Sequence, residues 1–422
     1  MLFYQKQNVS EGLKEDGLRE LLYSALDKLG KRKKVLIVPP DITRLHSRAG
    51  VLTRFAWQYY GDAVTDILPA IGTHCPMTEQ QISTMFADVP GDLFRVHDWR
   101  RGVVTLGQAP PEFVSSISGG KLDYAWPAQV GKLIAEGDFD LILSIGQVVP
   151  HEVAGMANYN KNIFIGTGGA EGINKSHFLG AVCDMEKIMG HADTPVRKVL
   201  NYASENFAGK MPIVYILTVV KPAHEKTQVC GLFAGDDSEC FNRASELSMK
   251  VNINLLDEPV EKMVVYLPAD EYKSTWLGNK SIYRTRMALA DGGELIVLAP
   301  GLSQFGEDAE IDRLIRKYGY LGTDKILSLV KQNPDLQANL SAPAHLIHGS
   351  SENRFGITYC PAGGVNKEEI ESVNFKYAEL SEMQRRYNVA NLRQGFNEVK
   401  GEKIYFISNP GMGLWSYKKK FI

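Results

Sequence analysis

Short β-branched runs alternate with longer stretches whose apolar residues recur at helical spacing through the first 250 residues. The runs at 35–38, 64–71, 141–145 and 163–165 predict strands. A second alternation begins near Glu261, with strands predicted at 263–267, 294–299 and 356–360 and helical patterns at 274–290, 308–318 and 324–332. The expected fold class is therefore α/β, as two α/β domains with a substrate or cofactor cleft between them. Asp257-Glu258-Pro259 is turn chemistry, which places an N-terminal domain at 1–257 and a second at 258–400, with 401–422 returning to the first.

Several predicted strands run straight into polar or glycine-rich loops: Pro39-Pro40-Asp41, Gly72-Thr73-His74, Gly146-Gln147 and Gly166-Thr167-Gly168-Gly169. In open α/β sheets ligands bind outside the carboxyl ends of strands, so the chemistry is expected in these loops.

Composition narrows the function classes. With 422 residues, two cores are expected rather than one. The 47 basic and 49 acidic residues leave a net charge of -2, which gives no footprint for nucleic acid or anionic lipid. Five scattered cysteines without a CxxC pair argue against a disulfide framework and a zinc ribbon, and imply a reducing compartment. No window approaches the roughly 18 consecutive apolar residues of a membrane span. Residues 1–14 mix polar and apolar side chains without a signal-peptide pattern, so a cytoplasmic location is expected.

Nine histidines are present, and His74, His151 and His177 fall in loops after predicted strands. Imidazole titrates near neutrality and ligates borderline metals, so each is either a general acid or base, a metal ligand, or a structural histidine. The stretch 143–179 is rich in glycine, which suits close backbone approach to a ligand, yet it holds neither GxxxxGK[ST] nor GxGxxG. Lys161 precedes Ile163-Phe164-Ile165 and is read either as a partly desolvated nucleophile or tether at a strand's entrance, or as a snorkelling surface lysine. Asp41-Ile42-Thr43-Arg44 places an acid, a hydroxyl and a guanidinium in one turn. Arg44 there can hold a carboxylate bidentately, or Asp41 can simply cap a helix. Lys280, in Trp276-Leu277-Gly278-Asn279-Lys280, reads as a surface lysine from the residues alone.

Taken in order, Asp41 to Arg44, Gly72 to Thr78 and the His151, Lys161, His177 series resemble the nickel-pincer nucleotide-dependent lactate racemase family. The resemblance implies an isomerase, a racemase or epimerase of a 2-hydroxy acid. It implies a pyridinium-derived thioamide nucleotide tethered to Lys161 and carrying nickel, with His177 as the metal ligand. His74 and His151 match the family's two bases, Arg44 the substrate carboxylate contact and Lys280 a further cation from the second domain. Asp41, Thr43, Gly168 and Gly169 are assigned with Lys161 to cofactor binding. Cofactor-synthesis and maturation proteins are the implied partners beside the small-molecule substrate. Asn158-Tyr159-Asn160 stands where lactate racemases tend to have a glycine-rich run, and Leu277 where a glutamine often contacts substrate. Both departures count against lactate itself, and the segment Asn158 to Asn162 with Gly166-Thr167-Gly168-Gly169 resembles a subgroup associated with larger hydroxy acids, including sugar acids such as gluconate. Two alternatives remain open: a divalent-metal hydrolase or lyase with the three histidines as direct ligands, and a sensor that only binds a small ligand.

Overall fold

The computed structural model describes residues 1–223, 226–411 and 413–421. The chain divides into two compact units, residues 1–179 with 190–252, and residues 180–189 with 253–422. Both are α/β.

The first unit contains β1 (Leu2–Gln7), β2 (Val35–Val38), β3 (Val64–Ile67), β4 (Val103–Ala109), β5 (Trp126–Gly131), β6 (Leu141–Gln147), β7 (Pro150–His151), β8 (Gly155–Met156), β9 (Ile213–Ala223) and β10 (Lys226–Gly235). Six of these form one sheet in the order β1-β10-β9-β6-β2-β3. Its heart is parallel, since β2 pairs in parallel with β3 and β6, and β6 with β9. The antiparallel β10 and β1 extend one side. Every residue of β2 and β6 is buried, which is why these strands read as unbroken apolar runs: a parallel strand covered on both faces has no solvent side to alternate with. The helix Glu15–Leu29 buries Leu18, Leu22, Ala25 and Leu26, one stripe at helical spacing, against the core that includes Val35, Ile37 and Leu143.

The second unit contains β11 (Ile253–Leu256), β12 (Val260–Tyr266), β13 (Leu289–Ala299), β14 (Gly356–Pro361), β15 (Lys376–Tyr377), β16 (Gly395–Val399), β17 (Glu402–Ile407) and β18 (Leu414–Tyr417). Its main sheet runs β15-β14-β13-β12-β17-β16, with only β16 antiparallel to its neighbour, and β11 pairs separately with β18. Asp308 caps the helix Ala309–Tyr318 as its position predicts.

The structure corrects four expectations. Residues 163–165 are not a strand; they lie in the π-helical turn Asn162–Gly166, whose Thr167 N–H donates to the Asn162 carbonyl at 3.1 Å. Three apolar residues are too few to show a period, and burial on all sides looks the same for either structure. Residues 401–422 do not return to the first unit, because β17 continues the second sheet beside β12 and β18 pairs with β11. Residues 180–189, expected with the first domain, group with the second: Met185 and Met189 pack with Tyr283, Met287 and Leu414, and Glu186 pairs with Arg286 and Arg354. The helical pattern at 274–290 yields only the short helices Thr275–Gly278 and Lys280–Tyr283. There the Ser281 and Thr285 hydroxyls donate back to the carbonyls of Gly278 and Ser281 at 2.7 and 2.6 Å, and such local bonds compete with a regular helix.

Candidate active site

The carboxyl ends of β2, β3 and β6 lead directly into Asp41, His74 and His151, so the sheet's parallel centre gathers three loops at one edge. The π-helical turn docks beside them, because the Asn162 amide donates to the Val38 carbonyl and the Ser144 hydroxyl, each at 3.0 Å. Gly72 adopts φ 56° and donates its N–H to the Gly166 carbonyl at 2.8 Å, which ties the loop of His74 to the same turn.

Asp41 caps the turn Ile42–Ser47 by accepting from the Thr43 N–H at 3.2 Å, so the bland reading of this residue holds. Its carboxylate also accepts from the Thr43 hydroxyl and, through its second oxygen, from His74 Nδ1 at 2.6 Å. Burial alone would raise the Asp41 carboxyl. The bonds from His74 and Thr43 overcome that and hold it below the usual carboxylate range. Because the carboxylate can only accept, His74 carries a proton on Nδ1, so that in its neutral form the largely exposed ring has its lone pair at Nε2.

His151 is buried on β7 and held the other way round. The Val153 N–H donates to its Nδ1 at 3.1 Å, so the neutral ring carries its proton on Nε2. Burial pushes its pKa well below the ordinary histidine value, against the pull of Glu152, and the cations of Lys161 and Arg44 push it lower still. In their neutral forms the two imidazoles are thus complementary, one an acceptor and one a donor at Nε2.

His177 lies on the helix Ala170–Val182, which Trp126 fixes by donating to the Gly172 carbonyl at 3.0 Å and the Ser176 hydroxyl at 2.8 Å. Its Nδ1–H donates to the Ile173 carbonyl at 2.7 Å, leaving Nε2 as a lone-pair donor. Burial lowers its pKa, which favours the neutral ring a metal requires. Lys161, half-buried at the start of the π-helical turn, has its pKa lowered to about 8 by burial first and then by the Arg44 guanidinium. The charges of Arg44, Lys161 and His177 all act on His151, and those of Arg44 and Asp41 on Lys161. Five of the residues singled out in the sequence therefore share one electrostatic neighbourhood, and His74 joins it through Asp41.

Gly168 and Gly169 have internal reasons to be glycine. A Cβ on Gly168 would lie 1.9 Å from the Phe164 carbonyl oxygen, and one on Gly169 would lie 2.5 Å from Gln129 Oε1. The Gly168 carbonyl also bonds the buried His97 Nε2 at 2.9 Å. Lys280 belongs to the second unit, where its ammonium stands 5.8 Å from the centre of the Tyr272 ring. Among the described residues no three His, Cys, Asp or Glu side chains converge as a metal centre. A centre that asks one imidazole of the protein, plus an amine to hold the rest, fits His177 and Lys161. Sequence reasoning missed Glu152, which faces His151, and Arg197, a buried guanidinium whose charge reaches Lys161. Both sit beside apolar residues, and only the buried face of the helix Pro195–Phe207, with Val196, Val199, Leu200 and Ala203, hinted that Arg197 turns inward.

Residues 15–190, which include every first-unit residue singled out above except Arg197, match the model of the lactate racemase N-terminal domain. The lactate racemase of Thermoanaerobacterium thermosaccharolyticum is 27% identical over 243 residues, covering 55% of this chain and 51% of that enzyme. The match thus spans about half the length of this curated relative. A crystal structure of a Thermotoga maritima protein superposes with a TM-score of 0.81 at 25% identity, covering 98% of this chain and 100% of that one. The apoprotein of the T. thermosaccharolyticum lactate racemase superposes with a TM-score of 0.72 at 18% identity, over 96% of this chain and 93% of that one, a likeness of fold.

Proposed function

We propose that the chain is a member of the lactate racemase family and that it inverts the C2 centre of a 2-hydroxy acid larger than lactate, a sugar acid such as gluconate being the leading candidate. The observation that carries the reading is the pair of imidazoles held in opposite tautomers, His74 by Asp41 and His151 by the Val153 N–H.

Inversion at C2 needs the hydroxyl proton to leave on one side of the reaction and return on the other. His74, with its lone pair at Nε2 and a carboxylate behind it, takes the proton from the substrate hydroxyl. His151 offers Nε2–H to the substrate oxygen, and its burial keeps the ring neutral near pH 7. Arg44 holds the substrate carboxylate through its planar fork, and Lys280 of the second unit is assigned a further contact to the same anion. A nickel-pincer nucleotide would be held by the Lys161 amine and His177 Nε2, with Asp41, Thr43, Gly168 and Gly169 assigned to its surroundings. When bound, that group supplies a reversible hydride acceptor. The half-buried Lys161 amine and the single ligand set by the Ile173 carbonyl suit this role. Cofactor-synthesis proteins are the partners such a site requires.

The test is chiral chromatography of a panel of 2-hydroxy acids, from lactate to gluconate, with the chain produced alongside cofactor-synthesis genes. Inversion of a larger hydroxy acid, lost in His74→Ala, is expected. No inversion of any member by nickel-loaded protein would remove the proposal.

A further inference from the structure

Arg197 is a buried cation without a carboxylate. Only 2% of it is exposed, and among the described residues no acidic side chain forms an ion pair with it. Instead its fork points at one turn of backbone. One terminal nitrogen donates to the Met156 carbonyl at 2.8 Å, both reach the Asn158 carbonyl at 3.3 Å, and one makes a short bond to Asn160 Oδ1. The guanidinium lies 4.1 Å from the centre of the Phe241 ring, and Tyr159 stacks on the same ring at 5.2 Å. Thr194 fixes the helix start by accepting from the Arg197 N–H at 3.1 Å and donating to the Ala154 carbonyl at 3.2 Å.

The turn it grips is one that a chain without glycine resists. Asn158 and Tyr159 adopt φ 64° and 60°, consecutive left-handed residues with side chains, directly before Asn160 and Lys161. Glycine would take this path freely, whereas a Cβ opposes it. Within the turn Asn158 Oδ1 accepts from the Tyr159 N–H at 2.7 Å, and groups outside it supply the remaining hold. Asn160 contributes by donating to Asn201 Oδ1 at 2.8 Å and the Ser204 hydroxyl at 3.1 Å.

We propose that Arg197 is the positioning residue for the Lys161 amine: its fork clamps the carbonyls and amide of the 156–160 turn, doing with side-chain bonds what a glycine-rich run would do by conformational freedom. The proposal rests on the reading of Lys161 as a tether. Arg197 also adds positive charge beside Lys161, together with Arg44, while Glu152 and Asp41 oppose it and His151 and His177 complete the facing groups. Loss of the charge acts toward a more fully protonated amine, and loss of the clamp toward a misplaced one.

The experiment uses the full chain without cofactor or substrate. A trace of N-hydroxysuccinimide acetate is applied across a range of pH, and acetylation of Lys161 relative to the exposed Lys250 is read by peptide mass spectrometry. In R197Q, Lys161 labelling at pH 8 should fall at least about threefold, with the midpoint moved upward by half a unit or more. R197K keeps the charge without the fork, so its limiting labelling rate should fall while its midpoint moves less. N160A leaves Arg197 and its ring contacts in place and should lower labelling in the same sense, which decides the matter if R197Q fails to fold. Wild-type labelling in every folded variant overturns the proposal. Labelling that responds as stated in a chain that inverts no 2-hydroxy acid would sink the functional reading and leave the positioning role standing.

Discussion

Asp41→Asn removes one charge from the site and little volume. In the wild type the carboxylate is only 4% exposed, and His74 Nδ1 donates to it at 2.6 Å. A hydrogen bond to a buried charged acceptor contributes about 1.5–3 kcal/mol, and here the contribution grows as His74 takes up a proton and becomes cationic. An asparagine can still accept at Oδ1, but without the charge that steadies the imidazolium. It can also turn its amide toward the ring and select the wrong tautomer. The loss of about 1.5–3 kcal/mol corresponds to about a 10- to 150-fold fall in kcat/KM. The assay is the initial rate of inversion by chiral chromatography, normalised to nickel content and to the fraction of chain carrying the Lys161 adduct. Normalisation separates a failure of proton transfer from a failure of loading. D41N within twofold of wild type after that correction would refute the role of Asp41 in orienting His74.

His177→Ala is expected to lose nickel, measured by elemental analysis, while intact mass still shows an adduct on Lys161; retained nickel would remove His177 from the metal site. Lys161→Met should stabilise the cofactor-free chain near pH 7. Burial depresses the Lys161 pKa to about 8, so between there and the ordinary lysine value the unfolded chain binds more protons, and native stability rises with pH through that window. Removing the amine relieves this opposition, so the Tm of the cofactor-free chain near pH 7 should rise, and an unchanged or lower Tm would contradict it. His151 follows the same sign, because its depressed pKa makes stability fall as pH drops below the ordinary histidine value. His151→Gln should therefore lose less stability than wild type between pH 7 and 5 in denaturant titrations, and parallel losses would contradict that. Arg44→Lys keeps a cation but not the fork and should raise KM about tenfold with a smaller effect on kcat, the reverse split counting against a carboxylate contact.

Much of this arrangement is legible in the amino-acid sequence. The runs at β2 and β6 are continuous and apolar because both faces are covered, and the loops that follow them carry the polar residues that ligands meet. What one-dimensional reading could not give is pairing across distance. Asp41 and His74 are thirty-three positions apart, and nothing in either motif shows that one orients the other. Residues 163–165 misled because a buried apolar triplet has no period. Residues 180–189 were misplaced because Met185 and Met189 look like any core residues until Tyr283 and Leu414 are beside them. Nothing in the sequence marks Arg197, since a charged residue on an amphipathic helix is ordinarily solvated. Its burial becomes intelligible only once the left-handed Asn158 and Tyr159 show what needs holding.

The most direct test of the central claim follows the hydrogen at C2. A 2-hydroxy acid that the loaded chain inverts, labelled with deuterium at C2 and incubated in ordinary water, should react more slowly than the unlabelled compound and emerge inverted with its deuterium still at C2. Inverted product that has exchanged its deuterium for solvent hydrogen would contradict the account, because it would mean that C2 loses a proton and not a hydride.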